Sequence, residues 1–344
     1  MYNDSGRIIK RLYIKADIKL ETPIIVGSGD SENADMEVLK DYLGNPFIPA
    51  SSIAGVFRAY LNELLGDKQD KENIGLLFGK DDDNFKDECK IDIRDGVKLN
   101  DRKTAETRSK YDYEIVETGN MFTLRMELII RKCHEKYEKS FKIMIAQILY
   151  GINDGEIFIG AKTNRGFGYI SLTDENLSIL ELDFENDDEA SEKWLEFDWN
   201  SFNPNMSLQS LCDINEKKEP PLYNKLVADF TLPGSIIIRR YSKDPADIDY
   251  EHIRCGGEPI IPGTSWAGVI RQSSFIVLEE LCVSGKREEL ENILKKIYGD
   301  VDEQKKVSQV SLVKFKESVI IDGDEETRPL VIQRVRIDRF TGGA

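Results

Sequence analysis

The sequence predicts an α+β protein made of two tandem copies of one unit, and three observations carry that reading. First, residues 43–58, LGNPFIPASSIAGVFR, recur as residues 256–271, GGEPIIPGTSWAGVIR. Pro49 and Pro262, Ser52 and Ser265, Gly55 and Gly268, and Arg58 and Arg271 are each separated by the same 213 residues. Second, residues 11–21 alternate apolar and polar side chains, the period of a half-buried strand. Third, helical spacing follows each motif copy.

In chain order, Leu12, Ile14, Ala16, Ile18 and Leu20 form the apolar face of the first strand. Its second-copy counterpart is read at residues 235–240. DMEVLK at 35–40 aligns, with one gap, to DYEHIR at 249–254. After Pro49, Ser51 or Ser52 is expected to cap a helix whose inner face is Ile53, Val56, Phe57, Tyr60, Leu61 and Leu64, ending near Gly66. Trp266, Val269, Ile270 and Ile276 give a comparable face in the second copy. Residues 141–149 read as a second helix, and 155–172 as strand, Gly-rich turn and strand. Strand-helix-strand-strand-helix-strand is the order of a ferredoxin-like sandwich, the fold shared with RNA-recognition modules. The expected boundaries are a first unit at 8–173, an acidic, partly helical linker at 174–224 and a second unit at 225–344. The 107 residues from Arg58 to Arg165, repeated from Arg271, run past Ala344. The second unit is therefore expected to be incomplete, lacking its second helix and Gly-rich loop and leaving a sheet edge exposed.

Composition narrows the function classes. Lys and Arg number 47 against 63 Asp and Glu, a net charge of −16, which argues against a uniformly basic nucleic-acid binder but leaves room for a local basic groove. No apolar run reaches the ~18 residues of a membrane span, and the first twenty residues are charged where a signal peptide is apolar. A cytoplasmic location without membrane partners is expected. Five scattered Cys without a CxxC pair, and only two His, make a zinc site and a Ser-His-Asp triad poor expectations. Chemistry should rest on carboxylates, hydroxyls and cations.

Four features carry candidate chemistry. The turn GAKTNRGFG at 160–168 offers glycines for close backbone approach and Lys162 and Arg165 for phosphate charge, or is a plain hairpin turn. The helix starts Ala50-Ser51-Ser52 and Gly263-Thr264-Ser265 offer free amides for an anion, with Arg58 and Arg271 further along each helix, or are simple caps. Asp35 and Asp249 precede the two IP motifs, with Asp30, Asp41, Asp244 and Asp247 as competitors. Either could be an ordinary turn residue. Finally, RVRIDRFTGG at 334–343 places Arg334, Arg336 and Arg339 beside an aromatic, as backbone binding with base stacking requires. Its first-copy counterpart, residues 96–103, carries Lys98 and Arg102. The plain reading is a solvated hairpin.

These motifs resemble those of one family. IPASSIAGVFR and IPGTSWAGVIR are similar to the IPGSSLKGxxR signature, AKTNRGFG to the C-terminal Gly-rich loop, and RVRIDRFTGG to the second-half hairpin, of the RAMP superfamily of CRISPR–Cas proteins. The resemblance is greatest to the backbone subunits of type III effector complexes of the Csm and Cmr type. It implies tandem RAMP domains that bind guide crRNA and assemble with other CRISPR effector subunits. A projecting hairpin would interrupt the guide–target duplex, and a loop Asp would cleave the target RNA. Asp35 matches that residue and Asp249 is its copy. A divalent metal ion, taken as Mg2+, is implied for cleavage. Ala54 and Ala267 stand where the signature has Lys, and Ala50 where it has Gly. Two alternatives lie within the same superfamily: a non-catalytic crRNA-binding scaffold, and a precursor-crRNA processing endoribonuclease, which calls for a His or Tyr-Lys site that His134, on a polar segment, and His252, without an evident partner, do not readily supply. Outside RNA biology, a two-domain metabolite binder remains the competing class.

Overall fold

Ile8–Leu20 forms the central strand β1 of the first unit, and its apolar–polar alternation turns Leu12, Ile14, Ala16, Ile18 and Leu20 into one core. The computed structural model describes residues 6–27, 37–78, 114–172, 177–211, 222–241, 250–255, 257–281, 287–302, 307–309 and 311–321. After β1 come α1 (Ala50–Leu64), α2 (Lys68–Phe78), β2 (Met121–Arg131), α3 (Glu138–Asn153), β3 (Ile170–Leu172) and β4 (Ser178–Asp183). β2 pairs antiparallel along one edge of β1, with Ile14 opposite Met126 and Ile18 opposite Phe122. β3 and β4 pair antiparallel along the other edge, with Ile18 opposite Leu172 and Ile14 opposite Ile179. A first strand held centrally, with later strands on both of its edges, is the ferredoxin-like arrangement.

The helices cover one face of this sheet. Phe57, Tyr60 and Leu61 of α1 and Phe141, Met144, Ile148, Leu149 and Ile152 of α3 join Ile14 and Ile18 in one buried cluster. Each such side chain contributes about 1.5–3 kcal/mol on full burial. On the rim, Lys10 reaches Glu138 at 3.0 Å and Asp183 at 3.2 Å, and Lys142 reaches Glu138 at 2.7 Å.

Two expectations for this unit are corrected. The stretch expected as a linker contributes β4, because Ile179 is buried in the core beneath the helices and Leu182 is buried beside Tyr13. Residues 184–202, with α4 (Ala190–Leu195), form a strap over the outer face of the sheet around Tyr13, whereas α5 (Leu208–Leu211) packs on α3 and buries Leu211 in the helix-side core. Neither Ser51 nor Ser52 is the cap of α1. Pro49 is the N-cap, at φ −59° and ψ 140°, and the Ser52 amide donates to its carbonyl at 3.0 Å. The proline ring presets the backbone for helix entry, so the serines fall in the first turn.

The second unit has β5 (Arg239–Tyr241), β6 (Tyr250–His252), β7 (Arg254–Cys255), β8 (Glu258–Ile261), α6 (Gly263–Leu281), α7 (Arg287–Tyr298), β9 (Asp300–Asp302), β10 (Val307–Gln309) and β11 (Ser318–Val319). Its ladders are short: β5 with β6, β9 with β10, and β7–β8–β11. The Ser265 amide donates to Pro262 at 2.9 Å, so Thr264 and Ser265 also lie in a first turn rather than at a cap. Only Arg239 and Arg240 of the strand expected at 235–240 enter a strand. Val269 and Ile276, expected on a buried face, are exposed. His252 is structural: its Nδ1 accepts from the Ile238 amide at 3.2 Å, and its Nε2 lies 2.9 Å from the Ile260 carbonyl oxygen. Among the described residues, no helix is long and apolar enough to cross a membrane.

Candidate nucleic-acid interface

The motif segments of the first unit radiate from residues 23–27. The Leu39 amide donates to Val26 at 2.8 Å, Gly27 bridges Val38, and Lys40 bridges Pro46. Gly27 and Val38, which flank the segment holding Asp35, thus pair with one another, and the IP motif follows directly. Glu114 secures that root, accepting from the Val38 amide at 3.1 Å and from the Lys40 ammonium at 2.7 Å. Lys40, with the Val38 amide, holds this carboxyl below the usual carboxylate range.

The Gly-rich turn docks on the same root. Ala161 donates to the Ile25 carbonyl at 2.7 Å and Gly168 to Pro23 at 2.8 Å. Gly160 sits at φ +92°, and a Cβ there would lie 2.4 Å from the Ile25 oxygen, so only glycine fits. Lys162 is left-handed without being glycine, at φ 60°, a conformation that costs about 1 kcal/mol or more. It opens the single 3-10 turn Thr163–Arg165.

Against that turn packs the second unit. A Cβ on Gly263, the first residue of α6, would lie 2.2 Å from the Phe315 carbonyl oxygen and 2.7 Å from that of Arg165. A Cβ on Gly166 would meet the same Phe315 oxygen at 2.2 Å. The structure therefore brings together two of the candidate clusters: Lys162 and Arg165 of the first unit, and the Thr264–Ser265 turn of the second. Arg271 lies two turns further along α6, in a groove towards α7 with Phe275, Glu291 and Leu294. Arg58 lies on α1, two turns from Ser51 and Ser52.

Sequence reasoning missed the cations nearest this junction. Lys314 places its ammonium 4.3 Å from the ring centres of both Phe158 and Tyr223, and Lys316 lies 3.0 Å from that of Tyr169. Burial, reinforced by Lys225, pushes Lys316 down to about 8, and burial lowers Lys314. Next along the chain, Glu317 accepts from Thr118 at 3.2 Å, and Thr118 lies 3.1 Å from Cys255 Sγ; burial raises both the Glu317 carboxyl and the Cys255 thiol. The only signal for this segment was the strand-like LVKFKESV at 312–319.

Around Tyr13 the strap covers the sheet's outer face. Tyr13 stacks on Phe197 at 3.9 Å with Trp199 edge-on, Arg125 lies over Trp199, and Arg11 lies over Trp194. Stacking of nucleobases on the sheet, as RNA-recognition modules do it, has no room under this strap.

Among the competing carboxylates, Asp41 is a turn residue: the Asn45 and Leu43 amides each donate to it at 2.9 Å and hold its carboxyl low. Asp35, Asp249, Lys98, Arg102, Arg334, Arg336 and Arg339 lie outside the described residues, as do Asp30, Asp244 and Asp247. Among the described residues no three His, Cys, Asp or Glu converge on a metal position.

Two ferredoxin-like units, meeting through a Gly-rich turn and an IP-motif helix, define a class that the comparisons identify. The model of the RAMP superfamily matches residues 17–171 and 229–344, well over half of the chain, and the chain belongs to that superfamily. No curated protein matches. A solved structure of a Csm3–Csm4 subcomplex of the type III-A CRISPR–Cas interference complex is 20% identical, over 59% of this chain and 94% of that one, with a TM-score of 0.35. At that distance the assignment rests on the two-region family match.

Proposed function

We propose that the chain is a backbone subunit of a type III CRISPR effector, that it binds guide crRNA at the junction of its two units, and that it cleaves the paired target RNA. The observation that supports this is the convergence of three motif segments: the root of the Asp35 loop, the Lys162–Arg165 turn, and the Thr264–Ser265 helix start. Cations and backbone amides in that arrangement suit a phosphodiester chain. Sequence would be read by guide pairing, with the protein reading backbone and shape, which reconciles RNA binding with a net charge of −16.

Cleavage needs little from the protein beyond geometry. The ribose 2′-OH next to the scissile phosphate is the nucleophile: Asp35 takes its proton, the 2′-oxygen bonds to phosphorus as the P–O5′ bond breaks, and the products are a 2′,3′-cyclic phosphate and a 5′-hydroxyl that draws its proton from water. A divalent cation such as Mg2+ would supply charge stabilisation at the phosphate. Asp249 performs the same role one unit along.

The test maps cut sites on a labelled target in the assembled effector complex with Mg2+. Asp35→Ala should remove one cut, by ~10²-fold or more, and Asp249→Ala a different one, with crRNA still bound. An unchanged cut pattern in both variants overturns catalysis and leaves the scaffold.

A further inference from the structure

The strap over the first unit's sheet is pinned at its two ends. The Phe184 amide donates to the Ile9 carbonyl at 2.9 Å and the Asn205 amide to that of Ile179 at 3.0 Å, while the Asn205 side chain clasps the Glu181 backbone through two 2.9 Å hydrogen bonds. Between these ends, among the described residues, every backbone hydrogen bond of residues 188–202 stays inside the strap. Side chains alone hold the middle down. Ala190 is buried, Phe197 stacks on Tyr13, Asn200 accepts from Arg125 at 3.2 Å, and Arg11 and Arg125 lie 4.8 and 5.8 Å from the ring centres of Trp194 and Trp199. α4 has six residues, far short of the ~12–15 that an isolated helix needs. Such an element opens locally while the sheet stays folded.

Beneath it lies a face with the chemistry of single-strand recognition. On β1, Arg11, Tyr13, Lys15 and Lys19 alternate with the core residues and so share the outer face. On β2, Arg125 stands opposite Lys15. Arg11 is engaged by Glu127 and Lys19 by Glu21, but Lys15 and Arg125 make no ion pair among the described residues. A ring at the middle of the central strand, with cations around it, suits a stacked base and its phosphates.

The strap offers this face an imitation of that ligand. Phe197 lies on Tyr13 with ring centres 3.9 Å apart and planes 21° apart, as a stacked base would. Around it, WLEFDW at 194–199 interleaves rings with Glu196 and Asp198, and residues 185–198 carry seven carboxylates against Lys193 alone. Rings alternating with negative charge are the make-up of a nucleic-acid strand.

We propose that the outer face of the first unit's sheet is a second nucleic-acid site, for a single strand with unpaired bases, and that residues 184–202 close it as an internal competitor. The site lies on the side of the sheet away from α1 and α3 and shares no residue with the junction of the two units. The proposal is therefore independent of the crRNA reading, and the failure of one leaves the other standing.

The test replaces residues 188–202 of the full chain with a Gly–Ser stretch of equal length, which keeps both pinned ends. Fluorescence anisotropy then measures binding of labelled oligouridine and oligothymidine of about twelve nucleotides. Oligouridine should bind ~10-fold or more tighter than it binds the unmodified chain, because the open site is no longer a minor state. Lys15→Glu in the replaced chain should remove that gain. An equal gain for oligothymidine supports a site that reads stacking and phosphate, and a gain for oligouridine alone supports one that also reads the 2′-OH. No gain for either strand overturns the proposal, and so does a gain that survives Lys15→Glu. Amide exchange along β1 and β2 reports whether the sheet persists. Should the replaced chain lose that protection, Phe197→Ala, which removes one ring and keeps the rest of the strap, is read against the same outcomes.

Discussion

The Lys316 ammonium stands 3.0 Å from the centre of the Tyr169 ring, tying the second unit to the residue that follows the first unit's Gly-rich turn. Lys316 holds its proton less tightly when docked, at about 8 against an ordinary 10.5. Docking therefore releases a proton and strengthens as pH rises from about 8 to 10.5. Glu317, raised by burial, takes up a proton on docking, which strengthens as pH falls through that raised value towards 4.5. Amide protection of 311–321 should pass through a minimum between the two windows. Lys316→Met should flatten the alkaline limb alone and Glu317→Gln the acid limb alone. A flat profile in the unmodified chain would refute both assignments, and a monotonic one would refute the assignment whose limb is missing.

Gly263→Ala should loosen the junction. Its new methyl carbon would meet two carbonyl oxygens at 2.2 and 2.7 Å, and both belong to backbone, which cannot swing aside. Overpacking of this kind costs about 1–3 kcal/mol. Ala50 already carries a Cβ at the matching position of α1, so Ala50→Gly should leave the junction unchanged. Differential scanning calorimetry of the two variants separates the outcomes.

Tyr60→Phe should destabilise the first unit by about 1–3 kcal/mol. Tyr60 donates at 2.7 Å to Glu156, whose other carboxylate oxygen is buried without a partner. Removing the hydroxyl strips the carboxylate of this donor. The double variant Tyr60→Phe/Glu156→Met should recover much of the loss, because both polar partners are then gone. Chemical denaturation of the pair and each single variant measures the coupling.

Arg165→Ala should reduce the slope of log affinity against log salt for crRNA by about one unit. Arg271→Ala, on the groove between α6 and α7, tests how far the track extends. A slope unchanged in both would place the RNA elsewhere on the molecule.

Much of the first unit was legible because its signals were local. Alternation marked β1, helical spacing marked α1 and α3, and glycines marked the turn at 160–168. β4 was hidden because it is short and runs through Glu181 and Asp183 into an acidic stretch, so composition read as a linker. The serines were misread as caps because Pro49 and Pro262 take that position themselves. The meeting of Gly166 with Gly263 had no local signal at all: it depends on how one unit sits against the other. The roles of Lys314 and Lys316 were invisible for the same reason, since their aromatic partners come from residues 158–223.

The strap also has a spectroscopic consequence. Of the three tryptophans, Trp194 and Trp199 lie in the strap and Trp266 opens α6. Trp199 sits edge-on to Tyr13 and so senses a lifting of the strap, whereas Trp266 reports on the neighbourhood of Phe230. Replacing Trp194 and Trp199 by Phe would leave one emitter in the second unit, and the reverse replacement would leave two in the first. Intrinsic fluorescence can thus follow the halves of one polypeptide separately, without an added dye.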